Sequence, residues 1–256
     1  MISSLFRQIF FNPLYNLLIA LSVFLPGHSF GCAIIVLTLL VKLILLPLQH
    51  KALKIQKKLK ILEPQLTAVK KLHQNDRAEQ AKKIMELYRA HGVNPLTTFW
   101  TILVQIPIVL ALFMAFRSGA TLHSEFLYSF TPSPESISLI WLGLVDLTKS
   151  FFPLSLLVGV SQFIQLHLSL PAKTPAVNSN QTKSPQDFAR NLQSQMRYTL
   201  PVFVVFAAST LPAAISLYWL TSNLFAIGHE IIIRRKLRSW FPNLINRGVN
   251  QIKTVS

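Results

Sequence analysis

Long apolar runs separated by short polar stretches are the dominant pattern along this chain. One run, residues 31–50, is apolar almost throughout and 20 residues long. A helix of that length rises ~1.5 Å per residue and crosses a hydrocarbon core of ~30 Å. The run therefore predicts a membrane-spanning helix, and the repeated pattern predicts an all-α polytopic membrane protein.

Four further spans are predicted from the later runs. The apolar stretch 196–234 is too long for one crossing, and Pro212 divides it into two spans. Before the first span, an apolar run predicts an interfacial helix, and a cleavable signal segment is the alternative. In chain order the predicted segments are the N-terminal segment 1–30, span one 31–50, a basic helical hairpin 51–94, span two 95–117, an outer loop with a surface helix 118–152, span three 153–171, a cytoplasmic loop 172–195, span four 196–211, span five 212–233 and a basic tail 234–256.

The hairpin is too polar to enter lipid, since it holds eleven Lys and Arg against four acids. Apolar residues recur at spacings of three and four in both halves, which indicates two amphipathic helices. Gln74-Asn75 is the predicted turn, and Asp76 is the predicted N-cap of the second helix. Pro64 is expected to kink the first helix or restart it.

The net charge of +16 is unevenly distributed and predicts the orientation. The hairpin, the loop after span three and the tail are basic, whereas the segments between them are not. Because basic segments stay in the cytoplasm, we expect an inner-membrane protein with its N-terminus outside and its C-terminus inside.

Half of the residues are hydrophobic, and the single cysteine, Cys32, excludes an internal disulfide and a cysteine-based metal site.

One lysine, Lys42, lies in the middle of span one. A charge at that depth costs at least ~2.5–3.5 kcal/mol. Thr38 and Gln49 share its helix face and give a polar stripe inside the membrane. Two explanations stay open: the lysine snorkels toward His50, ~12 Å away along the helix, or it lies in a water-filled functional site. Polar residues also interrupt spans three and five, namely Ser161, Gln162, Gln165, Ser216, Trp219 and Asn223.

Five ordered segments resemble the YidC/Oxa-type membrane protein insertase family: residues 31–48, 86–96, 105–113, 141–148 and 211–227. They occur in the family's order and spacing over nearly the whole chain. The resemblance implies five transmembrane helices around a hydrophilic groove that opens to the cytoplasm and to lipid and is closed outward. It also implies a short form of the family, without the large outer domain of some members.

The resemblance further implies which residues line the groove. Lys42 stands where the family has a groove arginine, so the charge is kept but the bidentate fork is lost. Residues 97–100, Thr-Thr-Phe-Trp, depart from a Gly-Cys-Leu-Pro-like string in relatives. The positions that correspond to the family's groove are Lys42, Thr38, Gln105, Gln165, Trp219 and Asn223.

The function implied is that of an insertase and chaperone that helps to integrate and fold inner-membrane proteins. A small solute or ion transporter and a membrane-anchored ribosome-docking scaffold are the alternatives. No phosphate-binding loop, metal-ligand cluster or nucleophile–base pair is recognisable, so we expect neither an enzyme nor a cofactor. The expected partners are nascent membrane proteins, the ribosome, the Sec translocon and anionic lipids, and not DNA. Basic residues expected to contact the ribosome or lipid are Lys54, Lys57, Lys58, Arg234, Arg235, Lys236 and Arg238.

Overall fold

The computed structural model describes residues 2–94, 96–121, 123–132, 136–169 and 185–240. These residues are almost entirely helical, which confirms the predicted helical class in outline. The α-helices are α1 (Ile2–Phe6), α2 (Asn12–Phe24), α3 (Phe30–Leu72), α4 (Arg77–Ala90), α5 (Leu96–Gly119), α6 (Phe152–Ser169), α7 (Pro185–Thr210) and α8 (Ala213–Trp240), and the strands are β1 (Ile140–Trp141) and β2 (Val145–Asp146).

The chain divides into two compact units, Met1–Thr148 and Lys149–Ser256. Judged by length and composition alone, two helical stretches of the described residues could cross a membrane, Phe30–Leu59 and Phe152–Ser169. A shorter apolar helix segment, Leu103–Gly119, lies within α5. The number of five spans therefore stays a prediction.

In the first unit the N-terminal helical segment begins at Ile2, before the apolar run that predicted an interfacial helix. A π-helical turn, Arg7–Phe11, joins α1 to α2. On α2 the ring of Tyr15 stacks on Phe11 at 5.5 Å, and the edge of Phe126 meets Phe11 at 5.3 Å. Phe11 and Tyr15 are fully buried, so these rings form the core against which residues 123–131 pack.

Helix α3 contains 43 residues and combines the predicted first span with the first helix of the hairpin. Ser29 caps it by accepting the Cys32 N–H at 3.4 Å. Pro64 does not restart the helix. Leu62 and Leu66, on either side of Pro64, are buried, and this packing offsets the backbone hydrogen bond that proline removes.

The helical hairpin and its cap are confirmed. Oδ1 of Asp76 accepts the N–H groups of Ala78 at 2.9 Å and Glu79 at 3.0 Å, which starts α4. Near the turn, the Gln80 side chain donates to the Lys70 carbonyl at 3.0 Å. A small apolar core holds the two helices together, and its members are Ile55, Leu59, Leu62, Leu66, Ile84, Leu87, Tyr88 and Val93.

The predicted surface helix in the outer loop is wrong. Residues 140–146 form a β-hairpin instead, with Ile140 opposite Asp146 and Trp141 opposite Val145. The chain reverses through Leu142 and Gly143, whose φ angles are 55° and 70°. Two successive left-handed residues are incompatible with a right-handed helix, and glycine adopts this conformation readily.

In the second unit α6 packs against both α7 and α8. The predicted division at Pro212 is confirmed, since α7 ends at Thr210 and α8 begins at Ala213. The predicted loop 172–195 is wrong over 185–195, where α7 has already begun, and 172–184 lie outside the described residues. The first seven residues of the predicted tail, 234–240, continue α8, and 241–256 lie outside the described residues.

Candidate functional site

The polar stripe of α3 lies in the first unit. Thr38 is 1% exposed, and its hydroxyl donates to the Ile34 carbonyl at 2.6 Å, so its donor is used within its own helix. Lys42, one turn later, is half-buried. Within the described residues of this unit, its ammonium group makes no hydrogen bond or ion pair. An ammonium group in an apolar stretch without an acidic partner needs water or a ligand.

Gln105 lies on α5 of the same unit. It is half-buried and lines a shallow concavity of about 270 Å³ together with Ile106, Val109 and Leu110. Among the described hydrogen bonds, none joins Gln105 to Thr38 or Lys42. The predicted groove positions of the first unit therefore comprise a stripe on α3 and a separate amide on α5.

In the second unit the predicted polar residues come together across α6 and α8. The Trp219 indole N–H donates to Oε1 of Gln162 at 3.2 Å, and Nε2 of Gln162 donates to Oε1 of Gln165 at 3.0 Å. One turn along α8, Nδ2 of Asn223 donates to the Ser161 hydroxyl at 3.0 Å. We call these five residues the polar ladder.

The chemistry of Trp219 fixes the direction of the ladder. An indole can only donate, so Gln162 presents its oxygen to Trp219 and its NH₂ group to Gln165. The oxygen of Gln165 is thereby used inside the protein, and its NH₂ group, which donates to no group among the described residues, can donate to a ligand. A side-chain hydrogen bond contributes ~1 kcal/mol net to stability, so the ladder orients these groups more than it stabilises the fold.

Two ladder residues, Ser161 and Gln162, are polar positions of span three but are not among the predicted groove positions. Both are more than nine-tenths buried. The sequence signal that could have identified them is their polarity within the apolar run of span three. Polar side chains in a helix often bond to their own helix, however, and only the packing of α6 against α8 shows that these two residues bond to another helix. Gln162 is the central member, since it contacts both Trp219 and Gln165.

A second polar cluster joins the ends of α6 and α8. Glu230 is 3% exposed and accepts the Ser169 hydroxyl at 2.6 Å and Nε of Arg234 at 3.2 Å. The Arg234 guanidinium also donates to the Leu168 carbonyl in the last turn of α6. Arg234 therefore satisfies a carbonyl in the last described turn of α6, and we call this contact the cap of α6.

The residues predicted to contact the ribosome or lipid have different surroundings. Lys54, Lys58 and Arg235 are exposed, whereas Lys57 is half-buried. Lys58 reaches the His91 carbonyl at 3.5 Å, near the end of α4. The side chains of Lys236 and Arg238 lie outside the described part of the structure. Across the described ranges no group of three or more His, Cys, Asp or Glu side chains could hold a metal ion.

Comparison with known proteins gives matches over most of the chain. The model of the family described as 60Kd inner membrane protein matches residues 21–239. A membrane protein insertase YidC from Fusobacterium nucleatum is 34% identical over 229 residues, which are 87% of this chain and 98% of that relative. The YidC of Pelobacter propionicus is 34% identical over 210 residues, which are 81% of this chain but 35% of that relative.

A solved structure of similar fold is an active YidC insertase with its first transmembrane domain resolved. It superimposes with a TM-score of 0.54 at 23% sequence identity. The match covers 87% of this chain and 45% of that one, so this chain spans less than half the length of the solved insertase. At this identity the likeness shows a common fold.

Proposed function

Because the chain belongs to the YidC/Oxa-type family of 60Kd inner membrane proteins, we propose that it is an insertase that helps other proteins to enter and fold in the inner membrane. The family match extends from within α2 to residue 239, one residue before the end of α8. Nearly the full length of the Fusobacterium nucleatum relative is matched. Its substrates would be nascent membrane proteins.

The observation that carries the mechanism is Lys42, a half-buried lysine in the apolar part of α3. We propose that its ammonium group lies in a hydrophilic groove that opens to the cytoplasm and to lipid. Such a groove lowers the cost of moving a polar segment partway across the membrane, since backbone groups keep hydrogen-bond partners there. An acidic residue in that segment would be attracted to Lys42 by up to ~4 kcal/mol at ~4 Å and an effective dielectric of ~20.

The polar ladder of the second unit would supply uncharged contacts to the substrate. The NH₂ group of Gln165 can donate to a backbone carbonyl of the substrate, and Trp219, which is linked to Gln165 through Gln162, offers an apolar ring. Thr38 and Gln105 are the further groove residues that we propose. No covalent step is required, because the groove changes the solvation of the substrate and not its bonds.

The exposed cations would hold partners at the cytoplasmic face. Lys54, Lys58 and Arg235 can attract anionic lipid or ribosomal RNA, each near-surface cation contributing ~1 kcal/mol at a lipid surface. Arg234 is bound to Glu230 and Leu168, so we assign it to capping α6. The Sec translocon is a further proposed partner.

Insertion by the purified protein in liposomes tests the role of the charge. The substrates are two single-span proteins, one with an acidic translocated tail and one with a neutral tail. Lys42→Ala should lower insertion of the acidic-tailed substrate about tenfold, equivalent to ~1.4 kcal/mol. Insertion of the neutral-tailed substrate should fall by a smaller factor. Lys42→Arg should retain insertion of both, because it keeps the charge.

Lys51→Ala is the matched control, since Lys51 lies on the same helix and is exposed. It should leave both substrates unchanged. Equal insertion of both substrates by Lys42→Ala would show that the groove does not use the charge, and that Lys42 snorkels. Solute flux through protein that inserts neither substrate would favour a transporter.

A further inference from the structure

The β-hairpin of the first unit is fixed to the first turn of α3. The Phe30 N–H donates to the Ser138 carbonyl at 3.1 Å, and the Ser138 N–H donates to the His28 carbonyl at 3.0 Å. The indole of Trp141 fills the space above Gly31, where a Cβ atom would overlap it. These contacts therefore fix the position of the β-hairpin relative to the first turn of α3.

The tip of this β-hairpin, residues 142–144, is apolar and exposed. Leu142 is 71% exposed and Leu144 is 81% exposed. Ile140, on the strand before the tip, is 56% exposed, and Phe24, at the end of α2, is 77% exposed. Residues 137–148 contain one charged side chain, Asp146. An exposed patch with so little charge fits an apolar partner.

The backbone conformation at the tip is unusual for a leucine. Leu142 has a φ of 55°, a conformation that glycine and asparagine adopt more readily than leucine. A turn facing water normally places Asn-Gly or Asp-Gly in such positions. Both the conformation and the exposure disfavour leucine here, so we expect a contact beyond the described residues to compensate.

We propose that the β-hairpin tip inserts into the membrane–water interface, with lipid acyl chains as its partner. The candidate span Phe30–Leu59 begins next to Gly31, so Trp141 lies where that helix enters the membrane. Tryptophan is enriched at this depth, and leucines beyond it can reach the hydrocarbon. The proposal requires that α3 crosses the membrane, and it does not depend on insertase activity.

Spin-label accessibility in lipid vesicles tests this contact. In a Cys32→Ala background, which removes the one native cysteine, a nitroxide is attached at Leu144→Cys. Collision with oxygen reports lipid, and collision with a water-soluble nickel chelate reports water. The lipid reference is Leu157→Cys, 53% exposed on the candidate span of α6, and the water reference is Ser136→Cys, an exposed position in the same loop.

The label at residue 144 should resemble that at residue 157, with an oxygen-to-nickel collision ratio severalfold above that at residue 136. Collision rates equal to those at residue 136 would place the tip in water and overturn the proposal. An immobilised label that collides with neither reagent would mean that protein covers the tip, which overturns it as well.

A second variant separates membrane contact from a purely structural role. Leu142→Asn suits the left-handed backbone and is polar, so thermal stability in detergent should be unchanged or raised. The nickel collision rate at residue 144 should nevertheless rise severalfold in vesicles. Leu142→Met, which stays apolar, should leave that rate unchanged. A loss of stability in Leu142→Asn without a change in collision rates would assign the leucine to folding and contradict the proposal.

Discussion

Asn16 is a buried side chain whose hydrogen-bonding capacity is fully used. Its Nδ2 donates to the carbonyls of Asn12 and Phe126, each at 2.8 Å. Its Oδ1 accepts the Tyr128 N–H and the Thr131 hydroxyl, each at 2.7 Å. Since three of these partners follow α5 in the chain, one side chain of α2 fixes the course of residues 126–131.

Replacing Asn16 with alanine should therefore loosen that segment. The Tyr128 N–H and the Thr131 hydroxyl would lose their acceptor, and a buried unsatisfied group costs ~1–3 kcal/mol. Hydrogen exchange should show faster exchange of the Tyr128 amide, with a lower unfolding temperature in detergent.

Asn12→Ala is the matched control one turn earlier on the same helix. The side-chain oxygen of Asn12 is buried without a hydrogen-bond partner in the described structure, so its removal should cost less. If the two variants lost equal stability, the hydrogen bonds of Asn16 would not be what holds the segment.

At the scale of whole elements, α6 and α7 approach closely because residue 159 is glycine. A Cβ atom there would overlap the Val205 side chain and lie 3.4 Å from the Pro201 carbonyl oxygen. Valine has a strongly preferred rotamer in a helix, so it cannot easily turn away. The contact sets the position of α6, which carries three of the five ladder residues.

Gly159→Ala should consequently destabilise the second unit by ~1–3 kcal/mol through overpacking. Gly228→Ala on α8 is the control, since a Cβ there meets nothing within 4 Å. Alanine at residue 228 should be neutral or stabilise by up to ~1 kcal/mol through helix propensity. Unfolding of both variants in the same detergent measures the difference, and equal stability would mean that α6 and α7 do not depend on this approach.

For the whole molecule, the charge distribution predicts an orientation that can be tested in intact cells. The tip of the helical hairpin, at the exposed residue Asn75, should lie in the cytoplasm, and the exposed Ser136 should lie outside. In the Cys32→Ala background, a membrane-impermeant maleimide should label Ser136→Cys and spare Asn75→Cys until the cells are opened. Labelling of residue 75 in intact cells would contradict the predicted orientation.

The sequence by itself determined features that depend on local chemistry or on composition. Asp76 starts α4 because its carboxylate reaches N–H groups two and three residues along the chain. Pro212 separates α7 from α8 because proline lacks the N–H that would continue a helix. The lysine inside span one and the ordered family segments are likewise visible without a fold, and the family comparison confirms the membership that those segments indicated.

The tertiary structure decided what depends on residues far apart in the chain. Helix periodicity could not reveal that Ser138 bonds to Phe30 and that Trp141 packs on Gly31, so a predicted helix proved to be a β-hairpin. From the sequence, Arg234 was one of several cations in a basic tail. The structure shows instead that it donates to Glu230 and to the Leu168 carbonyl. The role of Gln162 could be recognised only in the structure, where Trp219 of α8 lies within hydrogen-bonding distance of it. A hydrogen bond between helices depends on how the helices pack, which the sequence does not state.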